Sequence, residues 1–219
     1  MSNYIAKNAY QDQVVAQSYE NRRFSSLRGR LVNARELDAV RRALSHVKPC
    51  GSILDLPCGT GRLILPLVEA GLDVWGADIS EHMLQEAKRK LESSGQGHLV
   101  DHLGCHDAEN LPYPDGKFEG VISLRFMAHL PPEVRQRVLV EMKRVARRWL
   151  IVAFNVSDPL FALKRTIRRR FKRQYSAFPV TWRDLSDELA RVGLYQLKVF
   201  PVAPLHLSEV FVVLLSVND

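Results

Sequence analysis

The sequence SILDLPCGTGR, at residues 52–62, joins a short apolar run to a turn that contains two glycines. An apolar run closed by a turn is typical of a buried strand in a parallel sheet, and the residues after the turn begin a helix. Gly59 and Gly61 would let backbone amides approach a ligand without a Cβ in the way. Ligands bind at such turns in open parallel sheets, although the glycines alone are equally compatible with a structural turn.

From residue 52 onward, apolar runs alternate with segments of helical period, which predicts a parallel sheet with crossover helices. Strands are predicted at 52–56, 72–77, 100–105, 119–124, 148–154, 195–202 and 208–217, and helices at 61–70, 80–93, 132–147 and 182–192. A short proline-containing link joins the last two strands and predicts an antiparallel hairpin. We therefore expect an α/β, Rossmann-like, doubly wound sheet of seven mostly parallel strands, with helices on both faces.

Two segments depart from this pattern and set the predicted domain boundaries. Residues 1–48 read as helical and form either a lid over the site or packing on a sheet edge. Residues 49–219 are expected to form one domain with a basic insertion near 156–180. Within it, residues 164–173 (KRTIRRRFKR) contain seven basic and no acidic residues. The chain has a formal net charge of +7, so basic and acidic residues balance outside this segment.

The side chains around the glycine turn indicate which nucleotide it would bind. A dinucleotide site needs a third glycine for helix packing, but Ile64 stands at that position. Asp55 ends the predicted strand four positions before Gly59. Its carboxylate would repel a pyrophosphate, yet it suits a ligand that carries an ammonium and a sulfonium. The turn therefore points away from NAD and toward S-adenosylmethionine.

Asp55 through Gly61 resembles the first motif, DxGxGxG, of the class I S-adenosylmethionine-dependent methyltransferases. Pro57 departs from this motif, because the family usually has glycine there; the fixed φ of proline suits a turn. Asp78 ends the second predicted strand, and the resemblance implies that it accepts hydrogen bonds from both ribose hydroxyls. Ile79 would then cover one face of the adenine.

The resemblance continues to about residue 154. It implies that Asp107, followed by Ala108, meets the adenine amino group, and residues 111–118 (LPYPDGKF) resemble the stretch before the fourth strand. Leu124 and Tyr19 are further candidate cofactor contacts. Tyr19 would act with Tyr10 as a lid tyrosine, with packing as the alternative.

Residues 123–132 (SLRFMAHLPP) occupy the segment that, in this family, lies between the cofactor methyl group and the acceptor. His129 is the candidate base for a hydroxyl acceptor, and a structural cap at the next helix is the alternative. Arg125 is the second catalytic candidate, as a contact to a substrate anion or as part of a salt bridge.

These motifs predict methyl transfer to a small-molecule or lipid-linked acceptor, with oxygen slightly preferred over nitrogen or carbon. They are similar to those of quinone-biosynthesis and natural-product methyltransferases. RNA methylation is the first alternative, suggested by the basic segment, but few aromatic side chains accompany it. A non-catalytic scaffold that binds the cofactor is the second, and Pro57 is its main support.

The basic segment 164–173 has its own alternatives: it binds an anionic acceptor, lies on an anionic membrane, or is a solvated helix. Apolar residues make up 46% of the chain, which excludes disorder throughout. No apolar stretch reaches the roughly 18 residues of a membrane span, and the first 30 residues lack the apolar core of a signal peptide. Three separated cysteines predict neither a disulfide nor a metal site, so we expect a cytoplasmic protein.

Overall fold

The structure is a computed structural model that describes residues 26–157, 178–204 and 208–218. In this part of the chain, seven strands form one sheet in the order β3-β2-β1-β4-β5-β7-β6. The strands are β1 (Ile53–Asp55), β2 (Val74–Asp78), β3 (Leu103–Cys105), β4 (Phe118–Ser123), β5 (Ala146–Asn155), β6 (Tyr195–Pro201) and β7 (Val210–Ser216). Strands β1 to β5 are parallel, and β7 is antiparallel to both β5 and β6. The predicted fold class is confirmed.

Helices cover both faces of this sheet. They are α1 (Leu27–Val47), α2 (Ile64–Val68), α3 (Glu81–Ser93), α4 (Pro132–Val145) and α5 (Trp182–Arg191). Apolar side chains of α4 and α5 fill the core on one face, and those of α1, α2 and α3 fill it on the other. Ser80 and Thr181 cap α3 and α5, each accepting a backbone N–H three residues on.

The largest differences from the predicted boundaries lie in two elements. The predicted strand 100–105 begins with a 3₁₀ helix, Gly97–His102, and only Leu103–Cys105 joins the sheet. Val100 and Leu103 both pack against the core and are three residues apart, which is the spacing of a 3₁₀ turn. The predicted helix 61–70 is shortened to α2, because Gly61 has a φ of 72° that no α-helix accommodates.

Residues 1–25 and 158–177 lie outside the described residues, and with them Tyr10, Tyr19 and the basic segment 164–173. The described part of the N-terminal segment is α1, whose apolar stripe packs against β7 and the neighbouring core. The proposed division into a segment 1–48 and a domain 49–219 therefore stays a prediction.

The centre of the sheet depends on a close fit between β4 and β5. Gly120 is paired with Trp149 across the two parallel strands, and the Trp149 side chain is only 1% exposed. A Cβ added at Gly120 would overlap the indole ring. A side chain this large fits in the sheet only because its neighbour has none.

We expect Gly120→Ala to lower the free energy of unfolding by about 1–3 kcal/mol, because a buried ring and two strands must shift to admit a methyl group. Gly97→Ala is the matched control, since a Cβ there meets no atom closer than 3.9 Å. It should change stability by less than about 0.5 kcal/mol. Urea denaturation of both variants measures the difference, and equal losses would contradict the packing argument.

Candidate active site

The turn after β1 provides an open cradle beside the ends of β1 and β2. Gly59 and Gly61 have φ values of 54° and 72°, in the left-handed region that glycine adopts without strain. A Cβ added at Gly61 would lie 3.1 Å from Ala87 Cβ, whereas one at Gly59 would meet no atom within 4 Å. Gly61 therefore serves packing on α3, and Gly59 borders open space at this edge of the sheet.

Asp78 joins this turn to the end of β2. The Gly59 amide donates to Asp78 Oδ2 and the Ser80 amide donates to Asp78 Oδ1, both at 2.9 Å. The Ile79 amide also contributes a backbone hydrogen bond to this carboxyl group. The two carboxylate oxygens offer about four acceptor sites, so Asp78 is held by the backbone and keeps acceptor capacity that would suit a ribose hydroxyl.

Asp55 and Asp78 place two buried carboxyl groups in the same site. Burial raises the pKa of Asp55 to about 8, against the opposing effect of Arg62 and with a smaller contribution from Asp78. Burial raises the pKa of Asp78 to about 6, and the amides of Ser80 and Gly59 oppose it. Near pH 7, Asp55 is therefore mostly neutral and Asp78 mostly ionised. A ligand with a positive charge would stabilise the ionised form of Asp55.

The remaining cofactor candidates follow the ends of neighbouring strands. The His106 amide donates to the Asp78 carbonyl at 3.0 Å, which brings Asp107 and Ala108 beside β2. Ile79 directly follows Asp78 and is partly exposed, and Leu124 follows β4 and is 7% exposed. Pro57 precedes the glycines, and its peptide bond with Leu56 is cis. These positions agree with an adenosine site, while the role of each residue stays a prediction.

Arg125 forms a salt bridge that the sequence left open. Its Nε lies 2.8 Å from Glu36 Oε2, and Arg62 Nη2 lies 3.2 Å from the same oxygen. Arg125 also has a φ of 58°, which is unusual for a residue with a side chain. Contact between Arg125 and a substrate anion stays a prediction.

Sequence reasoning missed Glu36, which is 3% exposed. The available signal was its position: it is a charged residue in the apolar stripe of α1, three and four residues before the buried Ala39 and Val40.

His129 ends a 3₁₀ turn, Met127–His129, after β4 and is partly exposed. Pro131 occupies the N-cap of α4, so His129 lies before the helix and is not its N-cap residue.

The loop that contains His129 is clamped by Arg135, a second residue that sequence reasoning missed. Arg135 is 2% exposed and makes a bidentate pair with Glu188, at 2.7 and 2.6 Å. Its Nη1 also donates to the carbonyls of Met127, Leu130 and Phe178 at 3.2–3.4 Å. The Arg135 guanidinium thus holds the carbonyl groups on both sides of His129, and it also holds the carbonyl group of Phe178 on the neighbouring segment.

The two ends of the segment 158–177 meet next to this loop. The Ser157 amide donates to the Val180 carbonyl at 2.8 Å, and the Val180 amide donates to the Asn155 carbonyl at 3.0 Å. The Phe178 amide donates to the Ala128 carbonyl at 2.7 Å. The chain therefore re-enters the described fold beside Ala128, the residue before His129, and the strand end from which it leaves is paired with Val180, two residues after Phe178.

Comparison with known proteins identifies the kind of domain. Residues 53–148 match a family model described as a methyltransferase domain. Relatives include the ubiquinone/menaquinone biosynthesis C-methyltransferases UbiE of Burkholderia mallei and Burkholderia thailandensis. Each is 36% identical over 128 residues, which cover 54% of this chain and 49% of the relative. The chain thus spans about half the length of these curated relatives.

Solved structures show the same fold. One is magnesium protoporphyrin IX methyltransferase from Synechocystis with bound S-adenosylhomocysteine, which matches with a TM-score of 0.76 and 19% sequence identity. The match covers 98% of this chain and 99% of that protein's chain. A S-adenosylmethionine-dependent methyltransferase from Clostridium acetobutylicum has a TM-score of 0.68 at 17% identity, over 85% of this chain and 92% of its own.

The matched model identifies residues 53–148 as a methyltransferase domain, and the fold is that of the class I S-adenosylmethionine-dependent methyltransferases. More particularly, the domain is similar to those of the quinone-biosynthesis enzymes. The family resemblance and the cofactor inferred from the sequence are confirmed. In residues 26–157, 178–204 and 208–218, no helix is long and apolar enough to cross a membrane.

We expect Asp78→Ala to weaken binding of S-adenosylhomocysteine by about 1–3 kcal/mol, or roughly 5- to 150-fold, because two hydroxyls lose a charged acceptor. Asp101→Ala removes an exposed aspartate from the 3₁₀ helix before β3 and should leave affinity unchanged. Titration calorimetry measures both. Equal affinity of the two variants would mean that the ribose does not bind at Asp78.

Proposed function

We propose that this chain transfers a methyl group from S-adenosylmethionine to a small-molecule or lipid-linked acceptor, with oxygen slightly preferred as the accepting atom. The observation that carries the proposal is the pair of buried carboxyl groups, Asp55 and Asp78, beside the open cradle at Gly59. One would meet the cationic amino-acid end of the cofactor and the other its ribose.

The cofactor supplies a methyl group on a sulfonium, which is already activated for in-line displacement. The chain must therefore mainly hold the two reactants in line, and alignment of this kind contributes several kcal/mol. Asp78 would hold the ribose, Asp55 the ammonium group, and Ile79, Asp107 and Ala108 the adenine. Leu124 and the loop that Arg135 clamps would then form the wall between the cofactor and the acceptor.

The preference for oxygen rests on His129, whose imidazole would take the proton of an acceptor hydroxyl as it attacks. A carbon acceptor is the second candidate. It is favoured by the relatives named as C-methyltransferases, which are 36% identical over 128 residues. An activated aromatic carbon beside a hydroxyl would also need a base, so the same histidine would serve either acceptor.

We expect His129→Ala to lower kcat by about 10²- to 10⁴-fold while affinity for S-adenosylhomocysteine stays within about twofold, because only proton transfer is lost. His98→Ala removes an exposed histidine and is the control. The assay uses methyl-labelled S-adenosylmethionine with a panel of phenols and quinols, and NMR of the product separates oxygen from carbon methylation. Parallel losses of activity and thermal stability in His129→Ala would contradict a role as base.

We also propose that the basic segment 164–173 contacts an anionic membrane or an anionic acceptor. The support is its place in the chain: one flank of residues 158–177, at Phe178, is hydrogen-bonded to Ala128 in the His129 loop, and the other flank is hydrogen-bonded to Val180. A cationic segment joined to the fold at that point would start and end near His129, the proposed base for the acceptor. Attraction to an anionic surface is worth about 1 kcal/mol for each basic side chain and weakens in salt.

We expect the triple change Arg168→Gln, Arg169→Gln and Arg170→Gln to weaken binding to phosphatidylglycerol-containing vesicles by roughly 100-fold at low salt, because three attractive charges are lost. Binding of S-adenosylhomocysteine should not change. The matched control replaces three exposed arginines of α1, Arg28, Arg30 and Arg35, by glutamine. Co-sedimentation with anionic and neutral vesicles at two salt concentrations measures the effect. Equal loss in both triple variants would mean that net charge, not this segment, drives binding.

A further inference from the structure

Glu36 is a buried carboxylate that lies between two guanidinium groups at the edge of the cofactor turn. Its Oε2 is 2.8 Å from Arg125 Nε and 3.2 Å from Arg62 Nη2, and its side chain is 4% exposed. Arg62 follows the glycine turn directly, and its Nη1 also donates to Asn33 Oδ1. Helix α1 therefore holds Arg62 through two of its side chains, although α1 precedes the matched domain model, which starts at residue 53.

The position of Arg62 matters because the same guanidinium acts on Asp55. Arg62 is the charge that opposes the effect of burial on the Asp55 carboxyl group. Two carboxyl groups thus share one cation, Glu36 by direct contact and Asp55 at longer range. Were Arg62 to pair closely with Asp55, the ammonium group of the cofactor would have to displace a guanidinium that is already in place.

We propose that Glu36 is a positioning residue for the cofactor: by holding the charge of Arg62 against α1, it leaves the Asp55 carboxyl group to the cationic end of S-adenosylmethionine. This inference rests on the placement of that end at Asp55 in the proposed function. Glu36 itself touches neither cofactor nor acceptor. It acts through Arg62, and its contact with Arg125 ties the loop after β4 to the same point.

The arrangement predicts that cofactor binding releases a proton. In the free protein the pKa of Asp55 is raised to about 8, which is the net effect of burial, which raises it, of Arg62, which lowers it, and of Asp78, which raises it. The neighbouring Cys58 thiol stays neutral, since burial raises its pKa too. A cationic ligand favours the ionised carboxylate, so the affinity rises as the pH approaches the Asp55 pKa and levels above it. Asp78, with a pKa of about 6, contributes mainly below pH 7.

The test is titration calorimetry with S-adenosylhomocysteine, which keeps the ammonium group, in two buffers of different ionisation enthalpy. At pH 7.5 the wild type should release about 0.8 proton per ligand bound. In Glu36→Gln we expect the Arg62 guanidinium to move toward Asp55 and to lower the pKa of Asp55. If the Asp55 pKa falls by one unit, the release at pH 7.5 falls to about 0.2 proton. Glu36→Asp, which keeps the charge, should restore the larger value.

Arg62→Met should act in the opposite direction. With the guanidinium removed, the Asp55 pKa rises, and at pH 8.5 the release should increase from about 0.2 to about 0.8 proton. Glu119→Gln is the matched control, because Glu119 is equally buried and pairs with Arg148 at the other end of β4. It should lose stability without a change in proton release.

Three results would overturn the proposal. An unchanged release in Glu36→Gln, beside a raised release in Arg62→Met, would make Glu36 a structural ion-pair partner only. If Glu36→Gln does not fold, the double variant with Arg62→Met decides: a release below that of Arg62→Met alone would mean that Glu36 does not act through Arg62. No proton release by the wild type, with normal affinity, would instead show that the cation does not bind at Asp55.

Discussion

The hydrogen bond from the Gly59 amide to the Asp78 carboxylate, at 2.9 Å, is the contact on which the site depends. It joins the turn after β1 to the end of β2, and it can form only because both strands end at the same edge of a parallel sheet. The left-handed backbone of Gly59 aims the amide, and burial of Asp78 strengthens the bond. The strand order, the backbone conformation of Gly59 and the position of Asp78 therefore depend on one another.

The sheet and the glycine turn after β1 could be predicted because their signals are local. A strand, a glycine turn and an acid lie within ten residues of one another at 52–61, and the parallel order follows from alternation with helices. The boundary errors also have local causes. The positive φ of Gly61 makes α2 begin later than predicted, and the three-residue spacing of Val100 and Leu103 suits a 3₁₀ turn better than a strand. Both boundary errors arose where a short sequence pattern is compatible with more than one kind of secondary structure.

Glu36 and Arg135 could not be assigned from the sequence, because their partners lie far away along the chain. Glu36 meets Arg125 across 89 residues, and Arg135 meets Glu188 across 53. A charged residue in an apolar stripe signals that some partner exists, but periodicity does not say which one. Both residues hold loops of the site from helices outside the glycine turn, so the site is more dispersed in sequence than its motifs are.

The clamp formed by Arg135 has an evolutionary consequence. It ties one flank of the segment 158–177, at Phe178, to the His129 loop, and a parallel bridge between Val156 and Val180 joins that flank to the other. Loop-closure entropy rises only slowly with length once the ends are pinned. The segment could therefore be lengthened, shortened or replaced at little cost to the scaffold. Under the proposed role of this segment, new acceptor preferences could then arise by exchange of a single module while the methyl-donor chemistry is inherited unchanged.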